Sequence, residues 1–226
     1  MGYCAMNVFK GFQQISSEIP YIIEGAKVTL EYALIAMFFG FCGGTLLAII
    51  RQSKYKILRA LGALYLSVFR GTPLLLQLSI IYFAIPQIIH RPIPAFVAGI
   101  IAFSLNSSAY VSEIMRAGMQ SVSIGQIEIG KVLGCSKFQI IRDIVLPQGI
   151  RNVLPSLVNE MIDLLKESAI VSIIGESDLL RRANVVSSEH YLYLEPLLIA
   201  GLCYYCMIMI LSSIAKCIER KLSCSR

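Results

Sequence analysis

Charged residues are scarce in this sequence. Only 15% of its 226 residues are Asp, Glu, Lys or Arg, and 56% are hydrophobic, whereas soluble domains are usually about 25% charged and 45–50% apolar. The mean hydropathy is correspondingly high, at +0.70. A single domain of this size cannot hide so much apolar surface in a water-soluble core, so the excess is expected to face lipid. The composition excludes an ordinary soluble domain and favours a helical membrane protein.

The sequence also lacks a cysteine pattern. Its seven cysteines are scattered, and only Cys203 and Cys206 form a C-x-x-C, with no second pair to complete a metal site. The odd number and irregular spacing argue against a disulfide framework. We therefore expect no metal and no cofactor. A cleavable signal sequence is not expected either, because the first apolar run starts late and is too long.

A basic face and a catalytic set are missing as well. The net charge is +6, but the basic residues fall in short gaps between apolar runs, not on one solvated face as nucleic-acid binding requires. The two histidines, His90 and His190, lie near the predicted outer face without a convergent catalytic set around them. These absences predict no nucleic-acid partner and no enzymatic activity in this chain.

Long apolar runs are what the sequence does contain. A membrane-spanning helix needs about 20 apolar residues, and five segments approach this length: 22–50, 57–89, 94–117, 150–175 and 193–218. The second contains a proline in Arg-Gly-Thr-Pro, which should bend or break the helix, so one kinked span and two shorter pieces both stay open. The fourth is weak because charges interrupt it. We predict an all-α fold, a single transmembrane domain over residues 1–226.

The distribution of lysine and arginine predicts the orientation. These residues are enriched in cytoplasmic segments. The gaps at 51–59 and 116–151 and the C-terminal tail together hold 13 of the 20 basic residues, against five in the alternate gaps. We therefore predict an N-terminus outside and a C-terminus in the cytoplasm, which requires an odd number of spans.

Small residues predict close helix packing in two places. Gly40 and Gly44 form a G-x-x-x-G in the first span, and Ala95 and Gly99 form a similar pair in the third. Small residues let backbones approach each other within lipid. The motifs indicate a helical bundle and no particular function.

The predicted cytoplasmic segment 119–148 is too long for a simple connector. Ser123 is expected to cap a short helix, with Gln126 completing a capping box, and Gly134 is expected to end that helix. A second amphipathic helix is predicted from Ser136 to Val145, ending before the proline that follows. A helix–turn–helix element between two spans is suited to docking a partner.

Part of this segment resembles a phosphate-binding loop but lacks its chemistry. Residues 125–132 differ at one position from G-x-x-x-x-G-K-[ST]. The last position is Val132, which has no hydroxyl for magnesium, and Glu128 would place a negative charge among phosphates. No strand precedes the segment. We expect ATP hydrolysis on another chain.

The same residues resemble a motif of the permeases of bacterial ABC importers, written E-A-A, three residues, G, nine residues, I-x-L-P. Glu128, Gly134 and the run Ile144–Pro147 reproduce its spacing. The sequence departs at the two alanines, replaced by Ile129, which enlarges a docking face, and Gly130, which weakens the helix by up to about 1 kcal/mol. The resemblance implies coupling to an ATPase through Gly125, Glu128, Ile129, Gly130, Gly134 and Pro147.

Further motifs resemble the polar amino acid permeases of the histidine/glutamine/arginine type. They are F-R-G-T-P-L at 69–74, A-Y-V-S-E-I-M-R-A-G at 109–118 and L-K-E-S-A-I-V-S at 165–172. The resemblance covers nearly the whole chain. It implies a multi-pass protein of the bacterial inner membrane that works with a cytoplasmic ATP-binding subunit dimer, an extracytoplasmic amino-acid-binding protein and a second permease subunit, identical or homologous, within the lipid bilayer.

Charged residues inside spans mark candidate substrate contacts, because each costs about 2.5–3.5 kcal/mol on insertion scales. Helical spacing puts one polar stripe on the fourth span and a second stripe on the third. The predicted pathway residues are Arg70, Asn106, Tyr110, Glu113, Asn159, Glu160, Asp163 and Lys166.

Ion pairing within the protein is an alternative role for these residues. Lys166 has Asp163 or Glu113 as possible partners, and Arg70 has Glu113 or Glu167. An amino acid needs acceptors for its ammonium group and donors for its carboxylate, and the two stripes offer both.

The adjacent Asn159 and Glu160 resemble the form found in family members that carry basic amino acids. A carboxylate in the pathway would help a cationic side chain to pass, so arginine, lysine or histidine is favoured, followed by glutamine. The alternative is an ion-coupled secondary transporter acting without an ATPase. That class predicts interrupted spans in both halves, and only one interruption is visible.

Overall fold

The structure is a computed structural model that describes residues 10–223, without the side chains of 218, 219 and 221–223. Cys4, Cys224 and Arg226, which entered the cysteine and charge counts, lie outside the described residues. All regular secondary structure in the described range is helical, which confirms the predicted all-α class. The five cysteines at 42, 135, 203, 206 and 217 are free thiols.

Ten α-helices follow one another in the described range, joined in places by 3₁₀ or π turns. They are α1 (Ile19–Arg51, after a 3₁₀ turn at Ser16–Glu18), α2 (Lys56–Gly71), α3 (Leu74–Ser79), a π turn (Ile80–Ala84), α4 (Ile85–Ile89), α5 (Ala95–Gln120), α6 (Ile124–Val132), α7 (Lys137–Gln139), a π turn (Ile140–Val145), α8 (Leu146–Glu167), a 3₁₀ turn (Ser168–Ile174), α9 (Leu179–His190) and α10 (Leu194–Ser223).

Three single helices of the described range are long and apolar enough to cross a membrane. They are α1 with its preceding turn, α5, and α10 over Leu194–Cys217; the pair α2 and α3–α4 qualifies as a fourth if its two bent arms count together. α8 does not qualify, since its second half carries several charges. The total of five spans and the orientation therefore stay predictions.

The predicted interruption of the second span is a sharp break. Thr72 is extended (φ −123°, ψ 146°) and so is Pro73 (ψ 138°), because a residue before proline is driven out of the helical region. The helices on either side are bent by 102°.

The bundle is built around the crossing of α1 and α5, which share the most extensive contact in the molecule. A Cβ atom on Gly40 would lie 2.6 Å from the Ser107 Oγ, and one on Gly44 would lie 2.6 Å from the Val111 Cβ. Glycine therefore lets the two backbones approach, as the G-x-x-x-G motif predicted.

Two of the apolar clusters pack further helices around this crossing. The larger lies between α1, α3, α5 and α8 and includes Tyr32, Leu78, Phe103 and Leu165. The smaller packs α9 and the start of α10 onto the first half of α1. α9 lies in a gap where the sequence analysis predicted no helix.

The predicted cytoplasmic segment, residues 119–148, differs from its prediction at the capping box. Ser123 precedes α6 as predicted, but its side chain caps nothing. The first turn closes through the Ser123 carbonyl, which accepts from the Gln126 N–H at 3.1 Å, and the Gln126 side chain is held by Gln148 at 2.6 Å. The capping box forms instead between Ser136 and Gln139.

The end of α6 confirms the predicted glycine cap. Gly134 has φ +79°, a conformation that glycine adopts without strain. The Cys135 N–H donates to the Gly130 carbonyl at 3.0 Å, which satisfies a carbonyl at the helix end.

The prediction that the next helix ends before Pro147 is wrong. The chain continues from α7 through a π turn directly into α8, and Pro147 lies in the first turn of α8. The Leu146 N–H donates to the carbonyl of Ile141, five residues earlier. Because proline is tolerated in the first turn of a helix, Pro147 does not end this one.

Candidate functional site: a coupling surface and two polar clusters

The predicted cytoplasmic segment presents exposed apolar side chains. We use the name coupling surface, after the predicted role, for six side chains of α6, α7 and their flanks, each more than half exposed: Ile124, Ile129, Val132, Leu133, Phe138 and Ile141. Contiguous exposed apolar side chains mark interaction sites. Gly125 and Glu128 are exposed on the same short helix. Residues 125–132 are helical, which is not the geometry of a phosphate-binding loop.

α6 is fixed to the start of α8. Gly130 is buried, and a Cβ atom there would lie 3.0 Å from Ile144 and 3.2 Å from Ile140. Asn152 also donates to the Ser121 hydroxyl at 2.7 Å. The glycine in place of the motif's alanine thus allows closer packing of α6 on the π turn.

The rim of this surface is charged. Arg142 donates to Asp143 at 2.6 Å, and this hydrogen bond lowers the pKa of the Asp143 carboxyl. Both side chains are exposed, so the pair adds polarity without a buried charge.

We define the arginine cluster as Glu113 with Arg51, Arg70 and Arg116. It contains two of the predicted pathway residues, Arg70 and Glu113, and a third, Tyr110, lies beside it. Arg116 lies 2.6 Å from the Glu113 carboxylate, Arg70 lies 4.0 Å from it, and Arg51 is also paired with it. The Arg70 guanidinium lies 5.6 Å from the centre of the Tyr110 ring. Of the two partners left open for Arg70, the structure therefore forms the pair with Glu113.

Asn106 is buried against the break between α2 and α3. Its amide nitrogen lies 3.1 Å from the Gln77 Oε1 and 3.4 Å from the Phe69 carbonyl. These contacts account for the position of Asn106 within the apolar core.

The polar stripe of α8 is split by burial. Glu160 is partly buried and accepts a hydrogen bond from the Ser107 hydroxyl at 2.8 Å. Lys166 pairs with Asp163 at 3.3 Å, and both are more than half exposed. Asn159 is exposed, whereas Leu164 and Leu165 are buried. Asp163 and Lys166 therefore face away from the apolar core of the subunit, whereas Glu160 packs against α5.

The predicted pathway residues thus form two groups on different faces of α5. Asn106 faces the α2–α3 break, and the next residue, Ser107, faces Glu160, because consecutive helical side chains differ by about 100°. Within residues 10–223, no described hydrogen bond or ion pair connects the arginine cluster to the α8 group.

Four residues of these clusters were missed by sequence reasoning. Arg51 and Arg116 were counted only as loop charges, and Gln77 and Ser107 were not considered. An uncharged polar residue within an apolar span can be recognised in the sequence, and Gln77 and Ser107 are both residues of this kind.

Comparisons with known proteins agree with the sequence resemblance. Residues 40–223 match the family of binding-protein-dependent transport system inner membrane components. A putative glutamine transport system permease protein, GlnP, of Rickettsia conorii is 55% identical over 205 residues, covering 91% of this chain and 94% of the relative. The arginine transport system permease protein ArtQ of Bacillus subtilis is 44% identical over 211 residues, covering 93% and 96%.

A solved structure shares the fold. The structure titled as an amino acid ABC transporter with histidines superposes with a TM-score of 0.89 at 40% identity, covering 93% of this chain and 98% of that one. An inward-facing MetNI methionine ABC transporter, at 17% identity and a TM-score of 0.65, shares the fold alone. The chain belongs to the family of binding-protein-dependent transport system inner membrane components.

Proposed function

We propose that this chain is the membrane-spanning permease subunit of an ATP-driven importer of polar amino acids in a bacterial inner membrane. The observation that carries the proposal is the connection between the coupling surface and α8. α6 packs on the turn that leads without interruption into α8, and α8 carries Glu160. Leu146 and Glu160 are 14 residues apart on this helix, about 21 Å at 1.5 Å per residue.

A single helix, which contains Pro155 in its interior, connects the two sites and explains how a separate ATPase can drive transport. Movement of the coupling surface displaces α8, and with it the polar side chains of the pathway. ATP binding then favours one docked arrangement over the other, which shifts the population between outward and inward access. ATP hydrolysis itself takes place on a cytoplasmic ATP-binding subunit dimer.

The remaining partners follow from this role. An extracytoplasmic binding protein delivers the amino acid, and a second permease subunit, identical or homologous, completes the pathway. The exposed charges Asp163 and Lys166 suit a water-filled path or a subunit seam, since charged side chains facing lipid are costly.

The substrate class is a polar amino acid, with a preference for a basic one. Glu160 offers acceptors for an ammonium or guanidinium group, and Arg70 offers donors for a carboxylate. Relatives named for glutamine and arginine transport support both choices.

Charge reversal at the coupling surface tests the proposal. Glu128→Lys is compared with Glu189→Lys, a matched change at an exposed glutamate of α9, in proteoliposomes containing the permease, its ATPase and its binding protein. We expect ATP-driven amino acid uptake to fall at least about tenfold in the first variant only, the loss that corresponds to about 1.4 kcal/mol of docking energy. Equal uptake by both variants, or uptake without the ATPase, would refute the coupling role.

Neutralisation of Glu160 tests the substrate preference. Glu160→Gln keeps the Ser107 hydrogen bond but removes the charge, so the KM for arginine should rise about tenfold while that for glutamine changes little. Glu189→Gln is the control. Unchanged arginine uptake by Glu160→Gln would end the preference for a basic substrate.

A further inference from the structure

The break between α2 and α3 leaves backbone carbonyls without their helical donors. Pro73 has no N–H, so the Phe69 carbonyl, four residues earlier, loses the partner that a continuous helix would supply. The extended Thr72 interrupts the ladder as well. A buried carbonyl without a donor destabilises the fold, so this bend requires other donors.

The Gln77 side chain supplies those donors. Its amide nitrogen lies 2.9 Å from the Phe69 carbonyl, 3.1 Å from the Thr72 carbonyl and 2.9 Å from the Thr72 hydroxyl. Gln77 is only 7% exposed. One amide group therefore replaces the missing proline N–H and holds both sides of the break together.

Asn106 fixes the orientation of that amide from α5. Its nitrogen donates to the Gln77 Oε1 and to the Phe69 carbonyl, so both of its donors are engaged within the protein. With 5% exposure, Asn106 has little surface left for a substrate.

We propose that Gln77 and Asn106 are positioning residues whose amide pair holds the α2–α3 break against α5 and thereby places Arg70 at the pathway. Phe69, which both amides contact, immediately precedes Arg70. The arginine side chain extends from this anchored turn over Tyr110 and towards Glu113. Only the transport assay below rests on the proposed function; the distance measurement does not.

A distance measurement tests the clamp without reference to transport. Spin labels at Leu61 on α2 and Ile88 on α4, both exposed, are about 26 Å apart for two helical arms bent by 102° and about 40 Å apart for a straight helix. The measurement uses the assembled transporter, with the native cysteines replaced. Gln77→Leu should broaden the distribution and shift it to longer distances, whereas Gln87→Leu, at an exposed glutamine of the same arm, should not. Identical distributions for Gln77→Leu and the parent protein would overturn the proposal.

A variant whose hydrogen bonding depends reversibly on pH tests whether the clamp affects amino acid uptake. In Gln77→Glu the side chain can donate a hydrogen bond when protonated but can only accept when ionised. Uptake relative to the parent protein should therefore be near normal at low pH, fall about tenfold as the pH rises, and recover on reacidification. Arg70, which follows the clamped Phe69, and its partner Glu113 are present in both proteins, so the ratio isolates position 77.

A comparison of KM with kcat distinguishes a positioning role of Gln77 from a general effect on folding. Misplaced Arg70 should raise the KM for the amino acid in Gln77→Glu at high pH, and Gln87→Glu should show no pH-dependent change in the ratio. A ratio that is independent of pH for Gln77→Glu would overturn the proposal even if the protein transports amino acids normally. Loss of all uptake in the parent complex would refute the transport function and leave the distance test intact.

Discussion

Replacement of Gly25 by alanine tests how closely α9 is packed on α1. A Cβ atom at this position would lie 2.7 Å from the Leu179 Cα, 2.8 Å from its nitrogen and 2.9 Å from the Asp178 carbonyl carbon. Favourable contacts of this kind lie at about 3.5–4.0 Å. All three neighbouring atoms belong to the backbone, so a side-chain rotation cannot relieve the clash and α9 must move by nearly 1 Å.

The expected loss of stability follows from three contributions. Overpacking costs about 1–3 kcal/mol, and the upper end applies where backbone must shift. The shift also lengthens the bond from the Leu179 N–H to the Thr29 hydroxyl, already 3.4 Å long, at about 1 kcal/mol. Alanine gains about 1 kcal/mol over glycine in helix propensity. The net destabilisation is therefore about 3 kcal/mol.

Thermal unfolding of the purified subunit in detergent checks this magnitude. For a chain of this size, about 3 kcal/mol corresponds to a fall in Tm of about 6–12 °C. Gly201→Ala is the matched control, because no atom lies within 4 Å of a Cβ atom added there, and its Tm should stay level or rise. If Gly25→Ala is as stable as Gly201→Ala, the close packing of α9 on α1 is wrong.

Two further predictions concern buried charges. Burial raises the pKa of Asp178, which lies outside the predicted spans, to about 6, above the unfolded value of about 3.9. The folded state therefore binds more protons between these values, and the free energy of unfolding should fall by about 2–3 kcal/mol as the pH rises through that window. Asp178→Asn should flatten this slope in unfolding measurements from pH 4 to 7; an unchanged slope would contradict the assignment. Glu113→Gln leaves three arginines facing one another and should destabilise the subunit by about 2–3 kcal/mol, more at low salt. Asp163→Asn, which breaks an exposed pair, should cost less than about 1 kcal/mol, and equal losses in the two variants would contradict the cluster.

The membrane helices were predictable because hydropathy is a property of each segment by itself. The predicted ranges 22–50, 94–117 and 193–218 correspond to α1, α5 and α10, with ends that differ by a few residues. The break at Pro73 and the cap at Gly134 were predictable for the same reason, since proline and glycine act on their own backbone.

The short elements were harder to predict because their stability comes from neighbours. α9 has a detectable start in Asp178, which caps it, and a buried face in Leu179, Ala183 and Val186. The local sequence favours a helix only weakly here, and the helix becomes stable because α1 and α10 cover its buried face. The capping box likewise moved from Ser123 to Ser136 because Gln126 bonds to Gln148, a partner 22 residues away.

The candidate site also has features that the sequence predicts and features that depend on the tertiary structure. Its polar stripes follow from helical periodicity, and the docking motif follows from spacing, so both were visible in the sequence. The family assignment drawn from those motifs is confirmed by the match over residues 40–223.

Sequence alone determined that this chain is a helical membrane protein of the permease family, and it predicts a docking segment between two spans, because composition, periodicity and motif spacing are read along the chain. Only the tertiary structure decided that Glu113 pairs with three arginines, that Ser107 reaches Glu160 and that Asn106 pairs with Gln77. These pairings depend on where and at what angle the helices cross. A one-residue step around α5 turns a side chain by about 100°, and this step separates Asn106, which contacts Gln77 at the α2–α3 break, from Ser107, which contacts Glu160 on α8.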